Sequence, residues 1–181
     1  MTSETGQRVV LCDSTGRATG MANRLEAHTE PGMLHQAFSV FVFRNEGREV
    51  LVQQRSTEKS LFALRWANTC CSHPRDSSHE VIQSATDRLQ DEFGFTARLT
   101  PAGSFVYRAS EEGKGVEYEH DTVLTGHVSS IIQPNANPDE IADWKWMATK
   151  QLITDLEQRP EIFAPWLKPG LELALKAIEL H

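Results

Sequence analysis

Cysteine is nearly absent from this chain. Of 181 residues only Cys12, Cys70 and Cys71 carry thiols. An odd number with two adjacent gives no disulfide framework and points to a reducing compartment, so a cytoplasmic protein is expected. Long apolar runs are missing too. None approaches the ~18 residues of a membrane-crossing helix, so no membrane association is expected. The opening residues, MTSETGQRVVLCDSTG, contain no basic stretch followed by an apolar one, and no secretory signal is expected. Basic residues are in deficit: 18 Lys and Arg stand against 25 Asp and Glu, a formal charge of −7. Nucleic-acid binding needs a basic face to neutralise phosphates, so no nucleic-acid partner is expected. Repeats, low-complexity segments and internal linkers are also lacking. Residues 1–181 are therefore expected to form a single domain. A chain of this length buries about 70% of its unfolded surface and needs no covalent staple.

What is present is a mixture of short apolar strands and amphipathic helices. Val9–Cys12 ends in the turn-like Asp13-Ser14-Thr15-Gly16 and reads as a strand with its turn. Ala37–Phe43 and Val50–Gln54 flank a loop containing Gly47, where positive φ is cheap, and read as a β-hairpin. Val81, Ala85 and Leu89 recur at helical spacing, with Ser77 or Ser78 as a cap and Gly94 as the stop. Gly103–Tyr107, Glu117–Val128 and Ile141–Met147 read as further strands. Thr149–Gln158 and Pro169–Leu180 read as helices. The alternation predicts a mixed α/β (α+β) domain.

Four groups of residues can carry chemistry. His28 and His35 flank a Pro-Gly turn in HTEPGMLH, which leaves a surface role and a metal role both open. Cys71 and His73, in Asn68-Thr69-Cys70-Cys71-Ser72-His73-Pro74, share one face of an extended chain, whereas Cys70 must point the other way. Both thiols can equally be small buried hydrophobes. Glu117 and Glu119 share one face of a strand, and Asp121 continues it. A solvated acidic edge explains this as well as a site does. Histidine nitrogens with carboxylate oxygens are nevertheless a ligand set for Zn²⁺, Mn²⁺ or Fe²⁺. The fourth group is Asp87-Arg88-Leu89-Gln90-Asp91-Glu92-Phe93-Gly94, whose acidic end resembles the closing half of the Nudix box. Aligned on Gly94, the opening Gly of that pattern falls on His73, its first Glu on His79, and its Arg-Glu pair on Asp87-Arg88. Asp91 keeps only the charge, and Glu92 alone matches fully. That pattern argues against ordinary Nudix hydrolysis, which needs several carboxylates.

Taken in order, these motifs resemble those of the type 1 isopentenyl-diphosphate isomerases, a Nudix-fold family. The resemblance runs from about Val9 to Trp166. It rests chiefly on Asn68–Pro74, supported by HTEPGMLHQAFSVFVF from His28, Phe105-Val106-Tyr107-Arg108, Glu117-Tyr118-Glu119 and Phe163-Ala164-Pro165-Trp166. It implies a Nudix-like mixed β-sheet sandwich flanked by helices, with extra N-terminal strands. It also implies an isomerase that moves a double bond in isopentenyl diphosphate, giving dimethylallyl diphosphate. Cys71 and Glu119, assisted by Tyr107, would be the acid/base groups on opposite sides of the substrate. His28, His35, His73, Glu117 and Glu119 would hold Zn²⁺ or Mn²⁺. Glu92 and the main-chain carbonyl of Cys71 would hold Mg²⁺ with the diphosphate. Trp166 would face the carbocation, although alone it reads as a core anchor. Arg24, Arg55, Lys59 and Arg88 would form a positive pocket for the diphosphate. The expected partner is thus a small-molecule diphosphate, and the chain is expected to act as a monomer or weak dimer. Arg24 stands where lysine is common in bacterial relatives, and His79 replaces an acidic helix residue. His120, His127 and His181 match no site. Two other readings share these residues: a Nudix-type diphosphate hydrolase, and a non-enzymatic metal-dependent diphosphate-binding domain.

Overall fold

The run Ala37–Phe43 lies inside a strand apolar on both sides, and the fold is arranged to cover both. The computed structural model describes residues 7–76 and 80–179. Strand β3 (His35–Arg44) is preceded by β1 (Arg8–Cys12), β2 (Ala18–Asn23) and the single turn α1 (Arg24–Ala27). It is followed by β4 (Glu49–Arg55), β5 (Trp66–Ala67), β6 (Cys70–Ser72) and helix α2 (Val81–Phe93). The chain continues through β7 (Leu99–Glu111), β8 (Gly115–His127), β9 (Ile141–Ala148), α3 (Thr149–Gln158), a 3₁₀ turn at Pro160–Ile162, and α4 (Leu167–Glu179).

The strands form one mixed, branched sheet. β3 lies parallel to β8 from His35↔Glu119 to Phe43↔His127. β3 is antiparallel to β4 at Phe43↔Val50 and to β6 at Phe38–Val40. β7 lines the far side of β8, β9 lines β4, and the β1–β2 ribbon joins through Leu11↔His35. Because strand side chains alternate, Phe38, Val40, Val42 and Leu51 pack against Ala85, Leu89 and Phe93 of α2. Phe41, Phe43, Val50 and Val52 face the other way, against Leu152 of α3 and Leu167 and Leu171 of α4. Sheets covered on both faces read as continuous apolar runs, as β3 does.

The expected hairpin, helices and later strands are all found. Gly47 has φ +80° in the β3–β4 turn, and Gly94 closes α2 at φ +71° with its N–H on Gln90. Ser77 and Ser78 lie outside the described residues, and the residue at the start of α2 is Glu80, without a side-chain cap. Strand β7 extends well beyond Gly103–Tyr107. Its residues alternate between exposed and half-buried, so its outer portion has no apolar signature and follows β8 through the ladder. β1 and β2 are the extra N-terminal strands that the resemblance implies, whereas α1, β5 and β6 were not expected as elements. Each is short and is held by its neighbours rather than by a pattern of its own. The solvated acidic edge is overturned: β8 is interior, and Glu117, Glu119 and Asp121 are only 6%, 7% and 1% exposed.

Leu89 is fully buried between α2 and the sheet. Leu89→Ala should therefore lower unfolding free energy by about 2–5 kcal/mol through lost contacts and a residual cavity. Chemical denaturation of the two proteins measures this directly.

Candidate active site

Each candidate side chain is placed by a local backbone device. In α1, the Asn23 side chain accepts from the Leu25 N–H at 2.8 Å, and His28 follows as the C-terminal cap residue. Gly115 lets the start of β8 approach that cap. Val116 donates its N–H to the His28 carbonyl at 2.9 Å, and a Cβ at Gly115 would lie 2.5 Å from the same oxygen. His35 opens β3 directly opposite Glu119, and Glu117 lies two residues earlier on the same face of β8. His73 follows β6, two residues after Cys71. One ligand atom from each of His28, His35, His73, Glu117 and Glu119 can be chosen so that all lie within 4.8 Å of one another.

The donor set fits a cation. His28 and His35 each place Nδ1 2.7 Å from a backbone carbonyl, of Arg24 and Met33 respectively. A carbonyl only accepts, so both Nδ1 atoms carry protons and each ring turns its other nitrogen, Nε2, inward. His28 Nε2 and Glu117 Oε2 approach to 2.9 Å, yet both are buried and neither makes a hydrogen bond. His35 Nε2 meets His73 Nε2 at 3.2 Å and Glu119 Oε1 at 3.6 Å. Electron-rich atoms converging in a buried place are costly unless a cation lies among them. Three imidazoles and two carboxylates suit a transition-series divalent ion such as Zn²⁺ or Mn²⁺.

Charge is unevenly distributed within this cluster. Burial, reinforced by the Glu119 charge, raises the Glu117 carboxyl above its usual range. Burial would raise Glu119 too, but the rings of His35 and His73 more than offset it and hold Glu119 well below that range. Burial brings His73 down to about 3 despite its contact with Glu119. For His28, burial acts downward, and the Glu117 carboxylate overrides it so that the net shift is upward.

Beside the cluster lies a cleft of about 980 Å³ lined by Cys71, Tyr107, Trp166 and Glu119. The vicinal thiols divide as strand geometry requires: Cys70 is wholly buried against α2, and Cys71 is half-buried at the cleft. Burial pushes the Cys71 thiol up to about 12, with Arg55 acting against the rise. The Tyr107 hydroxyl donates to Glu119 Oε2 at 2.5 Å. Burial and the neighbouring carboxylates keep that phenol well above its ordinary pKa. Trp166 is both a core residue and part of the cleft wall. Its ring is packed among Leu61, Phe62 and Ala67, and its Nε1–H donates to Asn68 at 3.0 Å. It also lines the cleft.

Arg24, Arg55, Lys59 and Arg88 all line this cleft. They do not form an uncompensated positive patch. Lys59 and Arg88 both pair with Glu140 Oε2. Arg88 also holds Glu92 Oε1 at 2.5 Å. Arg55 donates to the carbonyls of Leu61 and Phe62, and reaches Cys71 Sγ at 3.8 Å. Its guanidinium lies 5.1 Å from the Trp166 ring centre. Arg24 donates to Gln7 at 2.9 Å. Glu92 is 2% exposed beneath the cleft wall, where Gln53 donates to its second oxygen at 2.6 Å. His120 and His127 stay outside the site, one against Gly16 and the other stacked on Phe43.

Two features carried no sequence signal. Glu140 is one acid in a polar loop and meets its partners 81 and 52 residues away. The Ser39 hydroxyl donates to Asp121 at 2.7 Å beneath the site, joining residues 82 apart. Neither spacing forms a recognisable motif.

The NUDIX domain pattern matches residues 33–167. The chain is 43% identical over 167 residues to a Nocardia farcinica protein named isopentenyl-diphosphate Delta-isomerase, covering 92% of this chain and 93% of that one. It is 40% identical to a protein of the same name from Halorhodospira halophila, covering 90% and 91%. Among solved structures, a Deinococcus radiodurans protein superposes with a TM-score of 0.71 at 17% identity, covering 94% of this chain and 99% of that one. A MutT protein from Methanosarcina mazei gives 0.63 at 13% identity, covering 79% and 94%. These superpositions speak for the fold alone. Sequence likeness over nearly the whole length is the stronger finding: the chain belongs to the isopentenyl-diphosphate Delta-isomerase family and is built on the NUDIX fold.

Proposed function

We propose that this enzyme converts isopentenyl diphosphate to dimethylallyl diphosphate by adding a proton at one carbon and removing one at another, as a step of isoprenoid biosynthesis. The supporting observation is that Cys71 and the Tyr107–Glu119 pair line one cleft, carried there by separate strands, with Trp166 beside them. One group delivers a proton to the terminal methylene, leaving a tertiary carbocation. The other removes a proton from the adjacent methylene on the diphosphate side, and the electrons of that C–H bond form the new double bond to the cationic carbon. One proton enters, one leaves, and no redox partner is required. The raised pKa keeps the Cys71 thiol protonated at neutral pH, the form in which it has a proton to give. Trp166 offers the cation a π face and no lone pair that would trap it. The aromatic wall of Tyr107 and Trp166, backed by Phe62, keeps water from that carbon.

His28, His35, His73, Glu117 and Glu119 are proposed to hold Zn²⁺ or Mn²⁺. Bound there, the ion neutralises the buried carboxylates and acidifies groups attached to them. Glu92 and the Cys71 main-chain carbonyl are proposed for Mg²⁺ with the diphosphate. Arg24, Arg55, Lys59 and Arg88 are proposed to bind its oxygens. Hydrolysis fits less well: of the two closing Nudix-box positions Asp91 is exposed and keeps only the charge, which leaves Glu92 as one full match where several carboxylates are needed. The free thiols fit a cytoplasmic enzyme working as one domain.

The test is direct. Isopentenyl diphosphate is incubated with the metallated protein and Mg²⁺, and the allylic isomer is sought by NMR. Its appearance is the expected result. Folded, metal-loaded protein that yields none overturns the proposal, and release of phosphate instead would favour hydrolysis.

A further inference from the structure

The anion-binding end of the cleft already contains an anion. Lys59 comes from the loop after β4, Arg88 from the middle of α2, and both reach the same oxygen, Glu140 Oε2. Side-chain exposures of 20%, 23% and 27% for Lys59, Arg88 and Glu140 put this three-way contact at the cleft wall, partly shielded from water. Burial disfavours charge on Glu140, but Arg88 and Lys59 more than offset it and hold its pKa below the usual range.

The loop does not depend on this carboxylate for its shape. The Glu140 N–H donates to Asn137, and its carbonyl accepts from the Ser56 N–H, each at 3.1 Å. The Ser56 hydroxyl donates to the Asp139 carbonyl at 2.9 Å, and Asn137 donates to the Glu92 carbonyl at 2.8 Å. The backbone is thus tied to both β4 and α2, and β9 begins at Ile141. Only the side chain is left to move.

We infer that Glu140 is an internal competitor for the diphosphate: its carboxylate occupies the point where Lys59 and Arg88 converge, and a ligand oxygen must displace it. The inference rests on the diphosphate reading of the cleft. Every anion that uses both cations gives up the same two contacts, so Glu140 sets a common affinity threshold. A single phosphate or sulfate has few contacts with which to exceed that threshold. A metal-bound diphosphate has more oxygens and more charge. The carboxylate therefore keeps the cleft from filling with small anions while leaving substrate binding possible.

The test uses calorimetric titration of the full-length protein with inorganic pyrophosphate and Mg²⁺. Glu140→Gln should tighten binding about tenfold, the scale of losing two partly exposed ion-pair contacts. KM for isopentenyl diphosphate should fall in parallel, without a rise in kcat. Glu140→Asp keeps the charge but is one methylene shorter, and its affinity should lie between the two. Glu140→Gln that binds pyrophosphate equally or more weakly than the parent overturns the inference, since Glu140 would then be holding the cations in place. Glu140→Asp with the parent affinity also overturns it, and does so even if the glutamine variant fails to fold. Pyrophosphate binding by none of these proteins would overturn the diphosphate reading and the inference with it.

Discussion

Cys71→Ala should lower kcat for isomerisation by about 10²–10⁴-fold, the usual contribution of a positioned acid/base group. Circular dichroism and metal content should stay at the parent values. Cys71 is half-buried at a cleft, so removing one sulfur leaves little of the cavity that a core substitution leaves. Its backbone pairing with Ser39 in β3 is one that alanine retains. Its neighbour provides the control. Cys70 is wholly buried among Val40, Leu51 and Leu89. Cys70→Ala should therefore lose stability in denaturant melts and keep most of its turnover. A fully active Cys71→Ala enzyme would refute the role proposed for this thiol.

Removing the metal should have the second large effect. Without a cation, Glu117 and Glu119 remain buried beside one another, and the inward Nε2 atoms of His28 and His35 crowd against Glu117 and His73. An ion present at about 1,000 times its dissociation constant stabilises the folded state by about 4 kcal/mol. At about 2–4 °C per kcal/mol for this chain length, chelation should lower Tm by about 8–16 °C. His73→Ala should weaken metal binding by at least about 100-fold, more than loss of an outer-shell partner usually costs. Metal analysis after gel filtration and calorimetric melting report the two effects separately. The pH dependence has a definite sign. Protonation of His28, whose pKa is raised, competes with the ion, so metal affinity and the stability it confers should fall as the solution is acidified through that pKa. A Tm unaffected by chelation would argue against the five-residue site.

Much of the site is legible because strand chemistry is local. The spacing of Glu117 and Glu119, or of Cys71 and His73, fixes a shared face wherever the strand lies. The opposite orientation of Cys70 follows from the same rule. What local rules leave open is environment. Glu117-Tyr118-Glu119 reads equally as an exposed edge until β3 and β7 are seen to enclose β8. β6 has only three residues and gains its identity from pairing with β3. The positive pocket was anticipated from its cations, and its compensation by Glu140 was not, because a lone acid in a loop has no pattern.

The sequence by itself determined the longer strands and helices, the NUDIX-type fold, the family, and the candidate residues for binding a cation or moving a proton. Its scarcity of cysteine also determined that no disulfide framework holds the chain together. The tertiary structure alone decided which of these residues meet. Parallel pairing of β3 with β8 sets His35 against Glu119, and the approach at Gly115 brings His28 to Glu117. It also decided their burial, and with it the sign of each pKa shift. Those outcomes depend on contacts between residues tens of positions apart, which no local spacing encodes.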